Sequence, residues 1–323
     1  MSIIVQNYLE NLEDLLQHRR TFHDGSTMLC DDTLVNRQYF PGFSKNEIET
    51  ANLPNGTGVF IKRYYSGDTT SKEYITNEVV FSRLYNALGV NALKYYPVIM
   101  SEQSGYQDFG QDVAVVSQDL KSIEGLNCEP FLSAHRSFYD YIRKYCFTIN
   151  QILANQKEFL NNCCDRSRSR DLLVNFVKTG MLDIICMMVD NHLGNKSLVR
   201  RDRIAIPEDI ISFDLEDSSI DLFNNSSYLD FIYELSHSED AYLGDIRMER
   251  KPSTYMGYLQ KMKDMRDDGI LPPECIELLD NIVNLNFDNL ISDTQHETGL
   301  IIPEYKKDLF RKLIDINQEN FIK

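Results

Sequence analysis

Apolar residues recur at helical spacing from the first turn of the chain. Ile4, Tyr8, Leu12 and Leu15 or Leu16 share one side of a pattern over 3–17, with Glu10, Glu13 and Asp14 opposite. This predicts an amphipathic helix that docks on something larger. Residues 18–56 contain Pro41-Gly42 and Leu53-Pro54-Asn55-Gly56, so they read as turn-rich with one or two short strands. Val59 to Tyr65 alternates and is rich in β-branched and aromatic residues, as a strand should be. Ser66 to Ser71 reads as a turn into a helix N-cap. From Lys72 to Ala87 an apolar stripe runs through Tyr74, Val79, Phe81 or Ser82, Leu84 and Leu88, and Gly89 closes it as a C-terminal cap. Strands are predicted next over Lys94–Met100 and Asp112–Leu120.

After Leu120 the pattern changes period. Helical spacing dominates Phe138–Asn155, Arg170–Met188, Tyr228–Glu234, Thr254–Asp267, Cys275–Leu285 and Tyr305–Gln318. The exception is a short strand, loop and strand at Ser197–Val199 and Ile210–Phe213. No internal repeat or low-complexity tail is visible. The expected fold class is α+β and bilobal. An N-terminal helix and extension occupies 1–39, a small β-rich lobe 40–120, and a larger, mainly helical lobe 121–323.

Composition narrows the functional classes. The 323 residues are 42% hydrophobic and 25% charged, ordinary for a folded chain with a real core. The apolar run Met181–Val189 is interrupted by Asp183 and is far too short to span a bilayer, and no signal segment opens the chain. The expectation is therefore no membrane association. The seven cysteines, including adjacent Cys163 and Cys164, show no C-x-x-C spacing and read as reduced thiols of a cytoplasmic protein. A net charge of −16 repels nucleic acid. Arg166-Ser167-Arg168-Ser169-Arg170 is the one basic patch, and it is read as a solvated loop before a helix. No direct nucleic-acid contact is expected. An acidic surface suits a basic peptide segment or a protein partner.

Against this background, Asp190-Asn191-His192-Leu193-Gly194-Asn195, with Asp214 downstream, carries the most specific chemistry. An Asp before an Asn in a polar loop is by itself a common turn. Phosphoryl transfer, however, needs one carboxylate to orient an attacking hydroxyl, plus an Asn and an Asp whose oxygens hold Mg²⁺ on a nucleotide. The upstream sequence supplies the remaining parts in order. Lys62 lies on the strand at 57–64 and Glu78 on the helix that follows. Lys62 reads either as an exposed strand lysine or as the cation that neutralises the phosphates of ATP. Phe60 lies on the same strand face, where it would contact adenine. Glu78 is the expected partner of Lys62, and Glu73, about one helical turn earlier, is the alternative. Ser117-Gln118-Asp119-Leu120 stands where the lobes should hinge, so Gln118 and Leu120 are assigned to the nucleotide site. Asp190 is the catalytic carboxylate, and Asn195 and Asp214 are the metal ligands. His192 braces the loop beside the nucleotide, and Glu216 and Asp217 are read as solvated loop residues.

These residues resemble a known family. The Asp-x-His-x-x-Asn run, preceded by an apolar helix and followed by a short apolar strand, is similar to the catalytic loop of HipA-like kinases, relatives of the phosphatidylinositol-kinase-like enzymes. Gly58 to Pro97 resembles their lysine strand and following helix, including Asn77-Glu78 and Leu88-Gly89-Val90. The likeness covers 58–218. It implies a serine/threonine protein kinase that uses ATP and Mg²⁺, with Lys62 on phosphate, Asp190 on the hydroxyl, and Asn195 and Asp214 on metal. Two departures accompany it. Too few residues precede Gly58 for the extra N-terminal subdomain of HipA toxins, which implies a compact form and leaves an antitoxin partner unspecified. No Gly-x-Gly-x-x-Gly loop is present, so the phosphates would be covered by Phe40–Ser44 or by Pro54–Gly58. The alternatives are a kinase of a small molecule or lipid, and a catalytically inactive nucleotide-binding scaffold.

Overall fold

The computed structural model describes residues 18–22, 24–40, 47–64, 69–100, 113–122, 126–130, 169–188, 195–201, 209–212, 215, 218 and 255–322. Strands β1 (Arg19–Thr21), β2 (Thr27–Cys30), β3 (Val35–Phe40), β4 (Glu47–Asn52) and β5 (Gly58–Tyr64) precede helix α1 (Thr69–Ala87). Strands β6 (Tyr96–Ile99), β7 (Val113–Gln118) and β8 (Leu126–Pro130) follow, then α2 (Ser169–Ile185), β9 (Lys196–Arg201) and β10 (Asp209–Ser212). Four helices close the described chain: α3 (Tyr255–Asp267), α4 (Pro273–Val283), α5 (Phe287–Thr298) and α6 (Glu304–Phe321).

Seven strands form one sheet in the order β1-β2-β6-β7-β5-β4-β3, and three form a second in the order β10-β9-β8. All pairings are antiparallel except β2 with β6. Among the described residues the larger sheet starts at Arg19, so part of the segment expected to be an N-terminal extension supplies strands of the β-rich lobe. Four strands, rather than one or two, lie between residues 18 and 56. Their polar content, as in Val-Asn-Arg-Gln-Tyr-Phe of β3, conceals the alternation. The helix at 287–298 and the strand β8 were not expected either. In α5 the inward positions are Phe287, Ile291, Thr294 and Thr298. Two threonines on the buried side break the apolar stripe that marks a helix in sequence. In β8 a terminal proline masks the strand. The predicted helices at 3–17, Phe138–Asn155 and Tyr228–Glu234 lie outside the described residues.

The period-two geometry of β5 sends Val59 and Ile61 to one face and Phe60 and Lys62 to the other. Val59 and Ile61 join Leu29, Leu53, Tyr96, Val98, Ala114 and Val116 in a compact apolar cluster. On the opposite face, Val115 and Ile99 enter the main core with α1, α2 and the C-terminal helices. Those C-terminal helices pack directly behind α1. Phe310 meets Phe81 edge-on, with ring centroids 5.2 Å apart, and buried Lys306 donates to Asn77 Oδ1 at 3.3 Å. Gly299 ends α5 at φ 71 and lies against β2, where its carbonyl accepts from Thr27 N at 2.9 Å. A Cβ there would meet the Thr27 carbonyl oxygen at 1.8 Å, so only glycine allows this approach. No helix among the described residues is long and apolar enough to cross a membrane.

Candidate functional site

The β3–β4 hairpin, β5 and β7 set one cross-strand row made of Phe40, Ile48, Lys62 and Val115. Lys62 projects from this row toward α1, where Glu78 is fully buried. Lys62 Nζ lies 3.7 Å from Glu78 Oε1, an ion-pair contact longer than a hydrogen bond. The alternative carboxylate, Glu73, instead accepts from the Tyr305 hydroxyl at 3.0 Å. Glu78 is the expected partner, and the rotation of α1 brings it to Lys62 while Glu73 turns to Tyr305.

Register places one of the two segments considered for covering phosphates, the β4–β5 turn. β3 ends at Phe40, whose partner Ile48 pairs with Lys62, and the rest of the Phe40–Ser44 segment lies outside the described residues. The β4–β5 turn leaves at the other end, next to the Asn52–Gly58 pair, about 13 Å away along the strand at ~3.3 Å per residue. That turn also uses its own donors. Gly56 N donates to Leu53 O at 2.8 Å, and Thr57 N to Asn55 Oδ1 at 3.0 Å.

Phe60 pairs with Ser117, so both side chains belong to the Lys62 face. Gln118 pairs with Val59, so its side chain belongs to the face opposite Phe60 and Lys62. The chain then turns: Asp119 N donates to Gly58 O at 2.9 Å, and Leu120 is buried at the start of a short 3-10 turn, Leu120–Ser122.

Asn195 is buried and directly precedes β9. Asp190, His192 and Asp214 lie outside the described residues, but the segments that lead to them are anchored. Helix α2 ends with Met187 at φ 56, and Met188 N donates back to Asp183 O at 2.9 Å, a left-handed helix stop. A methionine in that conformation costs roughly 1 kcal/mol that a glycine would not. Met188 then bridges Ser218, whose hydroxyl donates to Cys186 O at 2.7 Å. Upstream of Asp214, Ser212 N donates to Asn91 O and Ser212 O accepts from Leu93 N, both at 3.0 Å. The strand that precedes Asp214 is thus tied to the connection between α1 and β6.

One buried cluster escaped the sequence reading. Tyr85 OH donates to Asp183 Oδ1 at 2.7 Å, and Lys196 Nζ donates to Asp183 Oδ2 at 2.9 Å. All three residues are at most 1% exposed. Burial pushes the Asp183 carboxyl above its usual range, and the Lys196 charge and the two hydrogen bonds pull it only partly back. A signal for the cluster did exist in the sequence. An aspartate inside the apolar run 181–189 must find partners or carry a large desolvation cost.

The donor types present suit Mg²⁺ and a nucleotide. Asn195 offers a neutral oxygen of the kind a hard cation takes, and Lys62 a largely buried ammonium beside Glu78. Among the described residues no cluster of His, Cys, Asp and Glu could hold a metal by itself.

No family model matches the chain, and no curated protein matches it. Solved structures do. The chain is similar to the crystal structure of the Helicobacter pylori proinflammatory kinase CtkA, with a TM-score of 0.57 at 13% identity over 90% of this chain and 98% of that one. Weaker likenesses are to the Golgi casein kinase with Mn/ADP bound, with a TM-score of 0.40 at 12% identity over 98% of this chain and 75% of that one. Another is the open conformation of CtTel1, at 0.38 and 14% over 99% of this chain and 13% of that one. The β-rich and helical parts of this chain follow CtkA over nearly its whole length. The fold is a bilobal, protein-kinase-like α+β fold.

Proposed function

We propose that this protein is an ATP-dependent phosphotransferase, a serine/threonine protein kinase of the HipA-like type. The observation that carries the proposal is the contact between Lys62 on β5 and buried Glu78 on α1. Glu78 holds the Lys62 ammonium extended along the sheet face, where it meets the nucleotide phosphates. Phe60 packs on adenine from the same face, and backbone groups near Gln118 and Leu120 bind its edge. Asn195 and Asp214 would hold Mg²⁺, which would neutralise charge at the phosphates. Asp190 accepts a hydrogen bond from the acceptor hydroxyl and aims its oxygen at the γ-phosphorus. The new O–P bond forms as the bond to the β–γ bridging oxygen breaks, ADP leaves, and the hydroxyl proton passes to Asp190. His192 braces the loop. The acceptor is a Ser or Thr of a protein that complements the acidic surface of this chain, in the cytoplasm.

Paired measurements of ADP binding and of transfer from labelled ATP test this reading. Lys62→Ala is expected to lose nucleotide affinity and remain folded. Asp190→Asn should bind nucleotide as wild type does, with transfer lowered at least ~10²-fold. Equal transfer in wild type and Asp190→Asn removes Asp190 from the chemistry. Nucleotide binding with no transfer, even in wild type, replaces the kinase with an inactive scaffold.

A further inference from the structure

Three segments meet at one side chain, Asp183. Helix α1 presents Glu78 to Lys62 and, about two turns or ~10 Å further along its axis, Tyr85. Seven residues is close to a whole number of turns, so Glu78 and Tyr85 leave the helix on the same side. The Tyr85 hydroxyl takes one oxygen of Asp183 at 2.7 Å, and the Lys196 ammonium takes the other at 2.9 Å. Lys196 is the residue after Asn195 and the first of β9. The backbone carbonyl of Asp183 also accepts from Met188 N at 2.9 Å, at the helix stop that leads to Asp190. One residue therefore touches the helix of the lysine–glutamate pair, the residue beside Asn195 and the entry to the 190–195 segment. The strand before Asp214 is tied separately to the end of α1, through Asn91 and Leu93.

We propose, on the basis of the phosphotransferase reading, that Asp183 is a positioning residue. Its carboxylate, held between Tyr85 and Lys196, sets Asn195 against the Lys62–Glu78 half of the site and thereby sets how tightly the divalent ion is held. None of the three residues contacts nucleotide in this account. Loss of a link is felt at the metal, because Asn195 is the ligand that shifts with Lys196. Nucleotide affinity without metal, which depends on Lys62, Phe60 and the backbone near Gln118, stays as it is. A purely structural cluster behaves differently. Its disruption lowers both affinities together, in step with stability.

The test uses the full chain, ADP and Mn²⁺. Free Mn²⁺ is followed by electron paramagnetic resonance as it is titrated into the ADP complex, ADP binding without metal is followed by calorimetry, and folding by thermal unfolding. Tyr85→Phe removes one hydroxyl and keeps the ring. We expect it to weaken Mn²⁺ by up to about 10-fold, the low end of the range for direct partners of metal ligands because Tyr85 acts through Asp183 and Lys196, with metal-free ADP affinity unchanged. Lys196→Met should weaken Mn²⁺ further, and Lys196→Arg, which keeps a cation beside Asp183, should recover part of the loss. If Lys196→Met does not fold, Tyr85→Phe alone decides. Unchanged Mn²⁺ affinity in folded Tyr85→Phe overturns the proposal, and so does a parallel fall in ADP and Mn²⁺ affinity. Wild-type protein that binds neither ADP nor Mn²⁺ overturns the phosphotransferase reading itself, a result distinct from either.

Discussion

Two carboxylates in this protein have nearly the same partners and opposite character. Asp183 accepts from the Tyr85 hydroxyl at 2.7 Å and from Lys196 at 2.9 Å. Glu297, on α5, accepts from the Tyr96 hydroxyl at 2.7 Å and from Arg83 at 3.0 Å, with Lys94 at 3.6 Å. Burial raises the carboxyl of each. At Asp183 burial wins and the group stays above its usual range. At Glu297 the side chain is 25% exposed and has two cations, so Arg83, Lys94 and the hydrogen bonds outweigh burial and bring it below the usual 4.5. Similar hydrogen bonds therefore leave one carboxyl raised and the other lowered, according to how buried each is and how many cations face it. The raised carboxyl is the one held by Lys196, the neighbour of Asn195. Glu297 instead fastens α5 to α1 and β6 through Arg83 and Tyr96.

The largest effect expected from this contrast is on folding. Lys196→Ala leaves Asp183 buried without its cation and should cost about 3–5 kcal/mol in urea unfolding. A cost below 1 kcal/mol, about that of a surface pair, would place Asp183 with Glu297 rather than against it. Apolar burial in the larger sheet should respond less. Ile61 is fully buried, and Ile61→Val should cost about 0.5–1.5 kcal/mol and leave nucleotide affinity intact. A loss of nucleotide binding in that variant would mean that the apolar face also governs the lysine face.

The smallest effect is a difference in pH slope. Glu297 is depressed in the folded state, so its contribution is present above 4.5 and is lost as pH falls through its lower folded value. The stability gap between wild type and Glu297→Gln should therefore shrink in acid. Asp183 is raised from its ordinary 3.8, so the folded state holds its proton longer and the Asp183 contribution falls as pH rises through that window. Urea midpoints of wild type, Glu297→Gln and Asp183→Asn across acidic pH should yield slopes of opposite sign. Slopes of the same sign would remove burial as the deciding factor.

Much of the architecture was legible in one dimension. The strand with Lys62, the helix with Glu78, and the helices at α2, α3, α4 and α6 follow from apolar spacing, which burial on one face imposes directly. Elements whose buried positions are polar were missed. Thr294 and Thr298 hide α5, and the Asn, Arg and Gln of β3 hide a strand whose Arg37 pairs with Asp31 at 2.6 Å and Glu49 at 2.7 Å. Candidate site residues were recognisable by chemical type and order, and their assignment to roles remains the proposal made above.

The sequence by itself determined the periodicities, the order of lysine strand, glutamate helix and Asp/Asn segment, and the presence of an aspartate in an apolar run. Those are properties of neighbours along the chain. Tertiary structure alone decided how Lys62 approaches the favoured Glu78 while Glu73 turns to Tyr305, that the β4–β5 turn leaves the sheet far from Lys62, and that Asp183 finds Tyr85 and Lys196. Each of these depends on the rotation of a helix or the register of a strand against a distant partner. Local spacing does not encode that choice, because packing of the whole core selects it.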